Sequence, residues 1–148
     1  MDIEKIRQDF PMLQGKTMQG KPLIYLDNGA TTFKPKPVID EIVAYLSDYT
    51  ANAHRGDYDL SYVVDTKYEQ VRADVAKLIN APNPKEIVFT YGATDSLNLI
   101  AEGYAKTHLG QGDEILICVA EHAANTLPWF KVAREVGAQV NYIDLDET

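Results

Sequence analysis

The segment Ile87-Val88-Phe89-Thr90-Tyr91-Gly92-Ala93-Thr94-Asp95-Ser96-Leu97-Asn98-Leu99-Ile100 restricts the fold more than any other. A short β-branched and aromatic run stops at Tyr91-Gly92, and apolar residues then recur at helical spacing: Leu97, Ile100, Ala101, Tyr104 and Ala105. A strand that passes through a glycine turn into a helix leaves the first helical amides without backbone partners, at the positive end of the helix. A phosphate fits there without a dedicated cation. Gly92 and Ala93 are small enough for an anion to approach the backbone, and the Thr94 hydroxyl can add a hydrogen bond. The same residues also suit an ordinary strand-to-helix turn capped by Thr94 or Asp95, a junction found in most α/β folds. No Gly-Lys-Ser/Thr follows, so this is not a Walker A loop, and the Gly-x-Gly-x-x-Gly of dinucleotide folds is also missing.

From Lys85 onward the pattern predicts strand, helix, strand, helix, strand. The strands are expected at 87–90, 114–119 and 139–143. The helices are expected from Ala93 to about Lys106 and from about Thr126 to Val136, the second closed by Gly137. The continuous apolar run Ile115-Leu116-Ile117-Cys118-Val119 predicts a strand covered on both faces. An open α/β sheet binds its ligands beyond the carboxyl ends of its parallel strands. If the first two strands are near neighbours, His122 and the turn at Gly92 share one rim. An imidazole there can lie flat over a conjugated ring or exchange a proton near neutral pH; a capping or solvated histidine is the alternative.

Upstream, Ile3 to Phe10 reads as a short amphipathic helix ended by Pro11, and 15–22 is polar and turn-rich. Leu23-Ile24-Tyr25-Leu26 is a strand candidate stopped by Asp27-Asn28-Gly29. Pro35 and Pro37 frame the start of a helix with Ile39, Ile42, Val43, Leu46 and Tyr49 on one face. Residues 50–61 lack a period but concentrate Asn52, His54, Arg55, Asp57, Tyr58 and Asp59. A long helix follows, with Val64, Tyr68, Val71, Val75 and Leu78 on its expected buried stripe, ending near Asn80-Ala81-Pro82.

A net charge of −8 over 148 residues argues against nucleic-acid or anionic-membrane partners, which call for a basic face. A single cysteine, Cys118, excludes an intrachain disulfide framework and suits a reducing compartment, so a cytoplasmic location is expected. The N-terminus has no secretory apolar core, and no apolar run approaches membrane-spanning length. No internal repeat or low-complexity segment is present, and no metal site is expected.

Four stretches taken together resemble one family. Tyr25-Leu26-Asp27-Asn28-Gly29-Ala30-Thr31-Thr32 with Lys34-Pro35 is similar to the entry motif of class V aminotransferase-fold enzymes. Asn52-Ala53-His54-Arg55-Gly56 through Leu60-Ser61 resembles the His-Arg-Gly loop of SufS-type cysteine desulfurases. Phe89 to Asp95 with Asn98-Leu99 resembles their phosphate-binding turn. Gly112-Asp113-Glu114-Ile115 leading to Glu121-His122-Ala123-Ala124-Asn125 and Pro128-Trp129 resembles their strand and histidine motif. The order and spacing of all four, across nearly the whole chain, make the resemblance specific.

The resemblance implies an α/β fold: the N-terminal part of the large domain of PLP-dependent, fold type I transferases. That domain has a mostly parallel sheet with helices on both faces and works as a homodimer. Residues 1–22 would form an N-terminal helix and linker, and 23–148 the first, incomplete part of the domain. The implied cofactor is pyridoxal 5′-phosphate, an electron sink whose chemistry the protein orients and tunes. The implied reaction converts L-cysteine to L-alanine, with the sulfur left as an enzyme persulfide. A sulfur-acceptor protein of SufE/SufU type would carry it toward iron–sulfur cluster assembly. Carried over residue by residue, Ala93 and Thr94 hold the phosphate, and His122 stacks on the pyridine ring and helps proton transfer. His54 and Arg55 sit by the active site at the subunit boundary, and Asn28, Gly29 and Ala30 bring backbone to the substrate side.

Several positions depart from the family pattern. Gly29 stands for a commoner alanine, Tyr58 for a second loop histidine, and Ala93 for a threonine. Asp95 stands for a glutamate, and Ala123 for a histidine after His122. The resemblance also requires a Schiff-base lysine in a Ser-x-His-Lys setting, an aspartate facing the pyridine nitrogen and a late sulfur-accepting cysteine. None is identifiable: Lys106 precedes Thr107-His108 in the wrong order, and Cys118 reads as an inert strand thiol. The 148 residues are therefore expected to be the N-terminal portion of a longer enzyme, inactive alone and prone to associate through an unpaired sheet edge. A selenocysteine lyase or another member of the superfamily fits the same residues, as does a non-catalytic dimerisation or scaffold module.

Overall fold

The computed structural model describes residues 2–15, 17 and 19–145. Lys16 and Met18 of the polar segment, and the terminal Asp146-Glu147-Thr148, lie outside the described residues. The chain divides into two compact units, 1–87 and 88–148.

The first unit is helical. Helix α1 spans Ile3–Gln8, with the Asp2 side chain accepting the Lys5 amide as its N-cap. A 3₁₀ turn, Pro11–Gln14, follows. Helix α2 spans Lys36–Asp48 with a proline in its first turn, where a missing N–H costs nothing. Helix α3 spans Asp59–Leu78. An ionic tie joins α2 to α3: Lys67 Nζ lies 2.6 Å from Glu41 Oε1, the Tyr49 hydroxyl donates to the same oxygen, and Lys67 sits over the Tyr49 ring. The hydrogen bond from Lys67, then that from Tyr49, hold the Glu41 carboxyl below its ordinary range. The hydrogen bond to Glu41 raises Lys67.

The expected faces of α2 and α3 exist as stripes but are poorly covered. Ser61, Val64 and Ala76 are buried on α3, whereas Val71 and Leu78 are exposed, as are Ile42, Val43 and Leu46 on α2. Helical spacing fixes which residues share a face; burial also needs a partner surface. The strand expected at 23–26 carries no ladder among the described residues, and Ile24 and Leu26 stand exposed. Tyr25 instead stacks on Phe33 with centroids 4.0 Å apart.

The second unit contains the parallel pair. Helix α4, Ala93–Leu99, runs into a π-helical stretch, Ile100–Ala105, and a closing turn α5, Lys106–His108. Strand β1 spans Glu114–Cys118, helix α6 Leu127–Val136, and strand β2 Gln139–Ile143. β1 and β2 pair in parallel, Glu114 opposite Gln139 through Cys118 opposite Ile143, joined across α6 as a βαβ unit. Gly137 closes α6 at φ 79°, a left-handed conformation that favours glycine. Ala101 and Ala105 of the π stretch pack on Val132 of α6, all buried, with Trp129 and Val136 around them. Small residues let the two helical segments approach closely, and Val132 contributes about 1.5–3 kcal/mol by its burial. Lys106 Nζ adds a 2.6 Å pair with Glu135, and Lys131 pairs with Glu102.

Two expectations are corrected here. Residues 87–90 are extended but join no ladder among the described residues, so the strand expected there is not part of a sheet. β-branched residues report a local preference, and a ladder needs a neighbour. β1 is also not covered on both faces: Ile117 is buried while Leu116 is 64% exposed. Cys118 is correspondingly half-buried and free.

Candidate active site

Gly92 adopts φ 122° and ψ 177°, a region open almost solely to glycine. A Cβ built there meets nothing within 4 Å, so the backbone lies bare to whatever approaches it. Two hydroxyls pin the turn. Thr90 Oγ1 and Ser96 Oγ lie 2.6 Å apart, and both are within reach of the Gly92 carbonyl, at 3.2 and 3.3 Å.

The helix start carries no side-chain cap. Gly92, at the N-cap, has no side chain to take the amides of the first turn, and no side-chain capping bond forms. Asp95 reaches back, but its Oδ2 accepts the Tyr91 amide at 3.2 Å. That bond ties the residue before the N-cap and leaves the amides of the first helical turn without a side-chain partner. Ala93 and Thr94 are exposed at this end, and Asn98 Nδ2 donates to the Thr94 carbonyl at 2.8 Å. An anion bound here would rely on backbone N–H groups, helped by the dipole of the helical run 93–108. The donor set fits a phosphate ester: amides and a hydroxyl, with no bulk above the glycine.

His122 begins the 3₁₀ turn Ala123–Asn125, which packs against α4 within the same unit. Its Nδ1 accepts the Ala124 amide at 3.1 Å, and its carbonyl accepts from the Asn125 amide at 2.8 Å and the Thr126 hydroxyl at 3.2 Å. The neutral ring therefore carries its proton on Nε2, the edge not used by the turn. The imidazole is exposed. Asn125, held by the Trp129 indole N–H at 3.0 Å, fixes the far end of the turn. Sequence reasoning missed the hydroxyl pair at Thr90 and Ser96 and the Trp129–Asn125 bond. The available signal was spacing, since residues six apart across a glycine turn come back together. Beside this turn an open groove of about 420 Å³ runs along β1 past Leu116, Cys118, Glu121 and Trp129.

The remaining candidates belong to the first unit. Asn28, Gly29 and Ala30 form an exposed turn in which the Ala30 and Thr31 amides both reach the Asp27 carbonyl at 3.2 Å. The Tyr25 hydroxyl lies 2.9 Å from the Asp27 carbonyl and 2.7 Å from that of Thr31, fixing the turn from one side. His54 packs against α3, edge-on to Tyr68. Arg55 is exposed. Among the described residues no cluster of His, Cys, Asp and Glu could hold a metal ion, and no helix is long and apolar enough to cross a membrane.

A family model described as "Aminotransferase class-V" matches residues 24–148. The protein named "Probable cysteine desulfurase" of Vibrio cholerae is 46% identical over 148 residues, covering 100% of this chain and 36% of the relative. Its namesake in Synechocystis is 45% identical, covering 96% of this chain and 34% of the relative. Among solved structures, the apo cysteine desulfurase of Thermococcus onnurineus superposes with a TM-score of 0.84 at 38% identity, covering 97% of this chain and 34% of that one. The chain thus spans about a third of the length of the relatives it matches.

Proposed function

The chain belongs to the aminotransferase class-V family, and on that footing we propose that its residues form the phosphate-holding and ring-facing part of a pyridoxal-phosphate-dependent cysteine desulfurase of SufS type. The observation that carries the reading is the uncapped start of α4 at Gly92, in the unit that also holds the exposed imidazole of His122, its Nδ1 engaged by the Ala124 amide. In this reading residues 23–148 are the first part of the large domain, preceded by a helix and linker at 1–22.

When bound, pyridoxal 5′-phosphate supplies the electron sink that lets the carbon–sulfur bond of L-cysteine break. The chain's own residues do the rest of what is assigned here. The Ala93 and Thr94 amides and the Thr94 hydroxyl hold the phosphate. His122 covers the ring and holds or moves a proton at Nε2, because Nδ1 is engaged by the Ala124 amide. His54 and Arg55 sit by the active site at the subunit boundary, and Asn28, Gly29 and Ala30 bring backbone to the substrate side. Lys106, paired with Glu135 and Glu102, is assigned no part. Cys118, within the β1 ladder, is also assigned none. The products are L-alanine and a protein persulfide. The partners are a second copy in a homodimer and a SufE/SufU-type acceptor that feeds iron–sulfur cluster assembly in the cytoplasm. The single cysteine among 148 residues supports that compartment.

The test is direct. The complete gene product, purified with pyridoxal phosphate, should be yellow and should convert L-cysteine to equimolar alanine and protein-bound persulfide. A protein that retains the cofactor yet releases no alanine from L-cysteine would refute the desulfurase reading.

A further inference from the structure

Three donors converge on the Gly92 carbonyl. The Ser96 amide reaches it at 3.1 Å, and the Thr90 and Ser96 hydroxyls lie 3.2 and 3.3 Å from it. The two hydroxyls, both half-buried, are 2.6 Å from each other. Each brings one proton, and their mutual hydrogen bond consumes one of the two. The other proton goes to the carbonyl, whose two lone pairs are then taken by that hydroxyl and the Ser96 amide. Two arrangements satisfy the same atoms: Thr90 donates to Ser96 and Ser96 to the carbonyl, or the reverse. Removing either oxygen leaves the other hydroxyl free to donate to Gly92.

The same peptide carries the Ala93 amide at its other end. The Gly92–Ala93 bond is trans and planar, so its C=O and N–H point in opposite directions. Glycine reaches more of φ/ψ space than any other residue, so the plane is set by what holds its carbonyl. Holding that carbonyl toward the hydroxyls keeps the Ala93 N–H turned away from them, at the exposed helix start. No hydrogen bond occupies this N–H among the described residues.

We propose that Thr90 and Ser96 are a redundant pair of positioning residues, which clasp the Gly92 carbonyl and thereby aim the Ala93 amide at the phosphate of the cofactor. Both hydroxyl protons are spent inside the clasp, so neither is left for the phosphate itself. An amide oriented before the anion arrives needs no ordering on binding, which is where the affinity is gained. The proposal rests on the reading above that this turn holds the phosphate.

The experiment takes the complete protein, freed of cofactor, and titrates it with pyridoxal 5′-phosphate and with pyridoxal, which lacks the phosphate. Thr90→Val and Ser96→Ala should each change the affinity for pyridoxal 5′-phosphate by less than about twofold, because one hydroxyl still reaches the carbonyl. Combined, they should weaken it by about fivefold, the scale of one hydrogen bond, and leave the affinity for pyridoxal as in the parent. Thr90→Ser with Ser96→Ala returns one hydroxyl and should restore the affinity of the single variants. A double variant that binds pyridoxal 5′-phosphate like the parent, single losses that add up to the double one, or equal losses for the two ligands overturn the proposal. A parent that binds pyridoxal as tightly as pyridoxal 5′-phosphate overturns instead the phosphate reading beneath it. The urea midpoint of each cofactor-free variant reports whether it is folded. Thr90→Ala with Ser96→Ala, which puts no methyl group in place of the lost oxygen, replaces the valine form should that one not fold.

Discussion

Two glycines separate backbone strain from steric clash, because neither has a neighbour where a Cβ would go. Alanine at Gly92 or at Gly29 meets nothing within 4 Å. The difference lies in the backbone: Gly92 sits at φ 122°, while Gly29 has no left-handed φ. Gly92→Ala must therefore hold an L-residue in a region it avoids, or rebuild the turn pinned by Thr90 and Ser96. Strain of that kind costs about 1–3 kcal/mol. Gly29→Ala instead restricts the unfolded chain without straining the folded one, and should stabilise by about 0.4–1 kcal/mol. Urea unfolding of the cofactor-free protein measures both, since a ligand bound to the native state would add its own stabilisation. The midpoint should fall for Gly92→Ala and rise for Gly29→Ala, with unchanged slope. With pyridoxal phosphate present, Gly92→Ala should lose more than it does without, because the new methyl group enters the space given to the phosphate. An unchanged midpoint for Gly92→Ala, or a lowered one for Gly29→Ala, refutes the backbone argument. Equal losses with and without cofactor refute the assignment of that space.

Three further outcomes are expected. Gly56→Ala should lower stability by about 1–3 kcal/mol through overpacking against Tyr58 and Ser61, read as a lower denaturant midpoint. Thr94→Ala should weaken cofactor retention by about 1 kcal/mol, since the amides remain, whereas His122→Ala should cut turnover more than cofactor binding; full turnover in His122→Ala removes that assignment. The Glu41–Lys67 tie should give stability a pH dependence with two edges. Glu41 is depressed by its hydrogen bonds from Lys67 and Tyr49, so its contribution is present above the unfolded carboxyl value and fades as pH falls through the lower folded one. Lys67 is raised by Glu41, so its contribution holds below the unfolded lysine value and fades as pH rises through the folded one. Lys67→Met should flatten both edges in midpoints taken across a pH series, and by little, because the groups are exposed.

What was legible in the sequence was whatever depends on neighbours along the chain. Gly137 ends α6 at a left-handed φ, the prolines at 35 and 37 start α2, and β2 falls at 139–143 as the alternation demanded. What was not legible depends on neighbours across space. Residues 87–90 and 23–26 carry strand chemistry and no ladder among the described residues, and Leu116 sits exposed in a run as apolar as a buried strand. The same division runs through the site. The turn at Gly92 and the helix start at Ala93 could be named from a turn signal, because a helix amide lacks a partner for local reasons. The bond from the His54 amide to Asp65 could not, since Asp65 lies eleven residues away and meets it only because α3 turns the right face to the loop. Asp95 shows how close the two levels come. The ordinary-turn reading offered it, or Thr94, as a cap for the helix start, yet its carboxylate takes the Tyr91 amide. Had Gly92 been serine, its hydroxyl could have taken a first-turn amide, that of Thr94 or Asp95. The glycine therefore provides more than a turn: it withholds the side chain that would otherwise cap the first-turn amides.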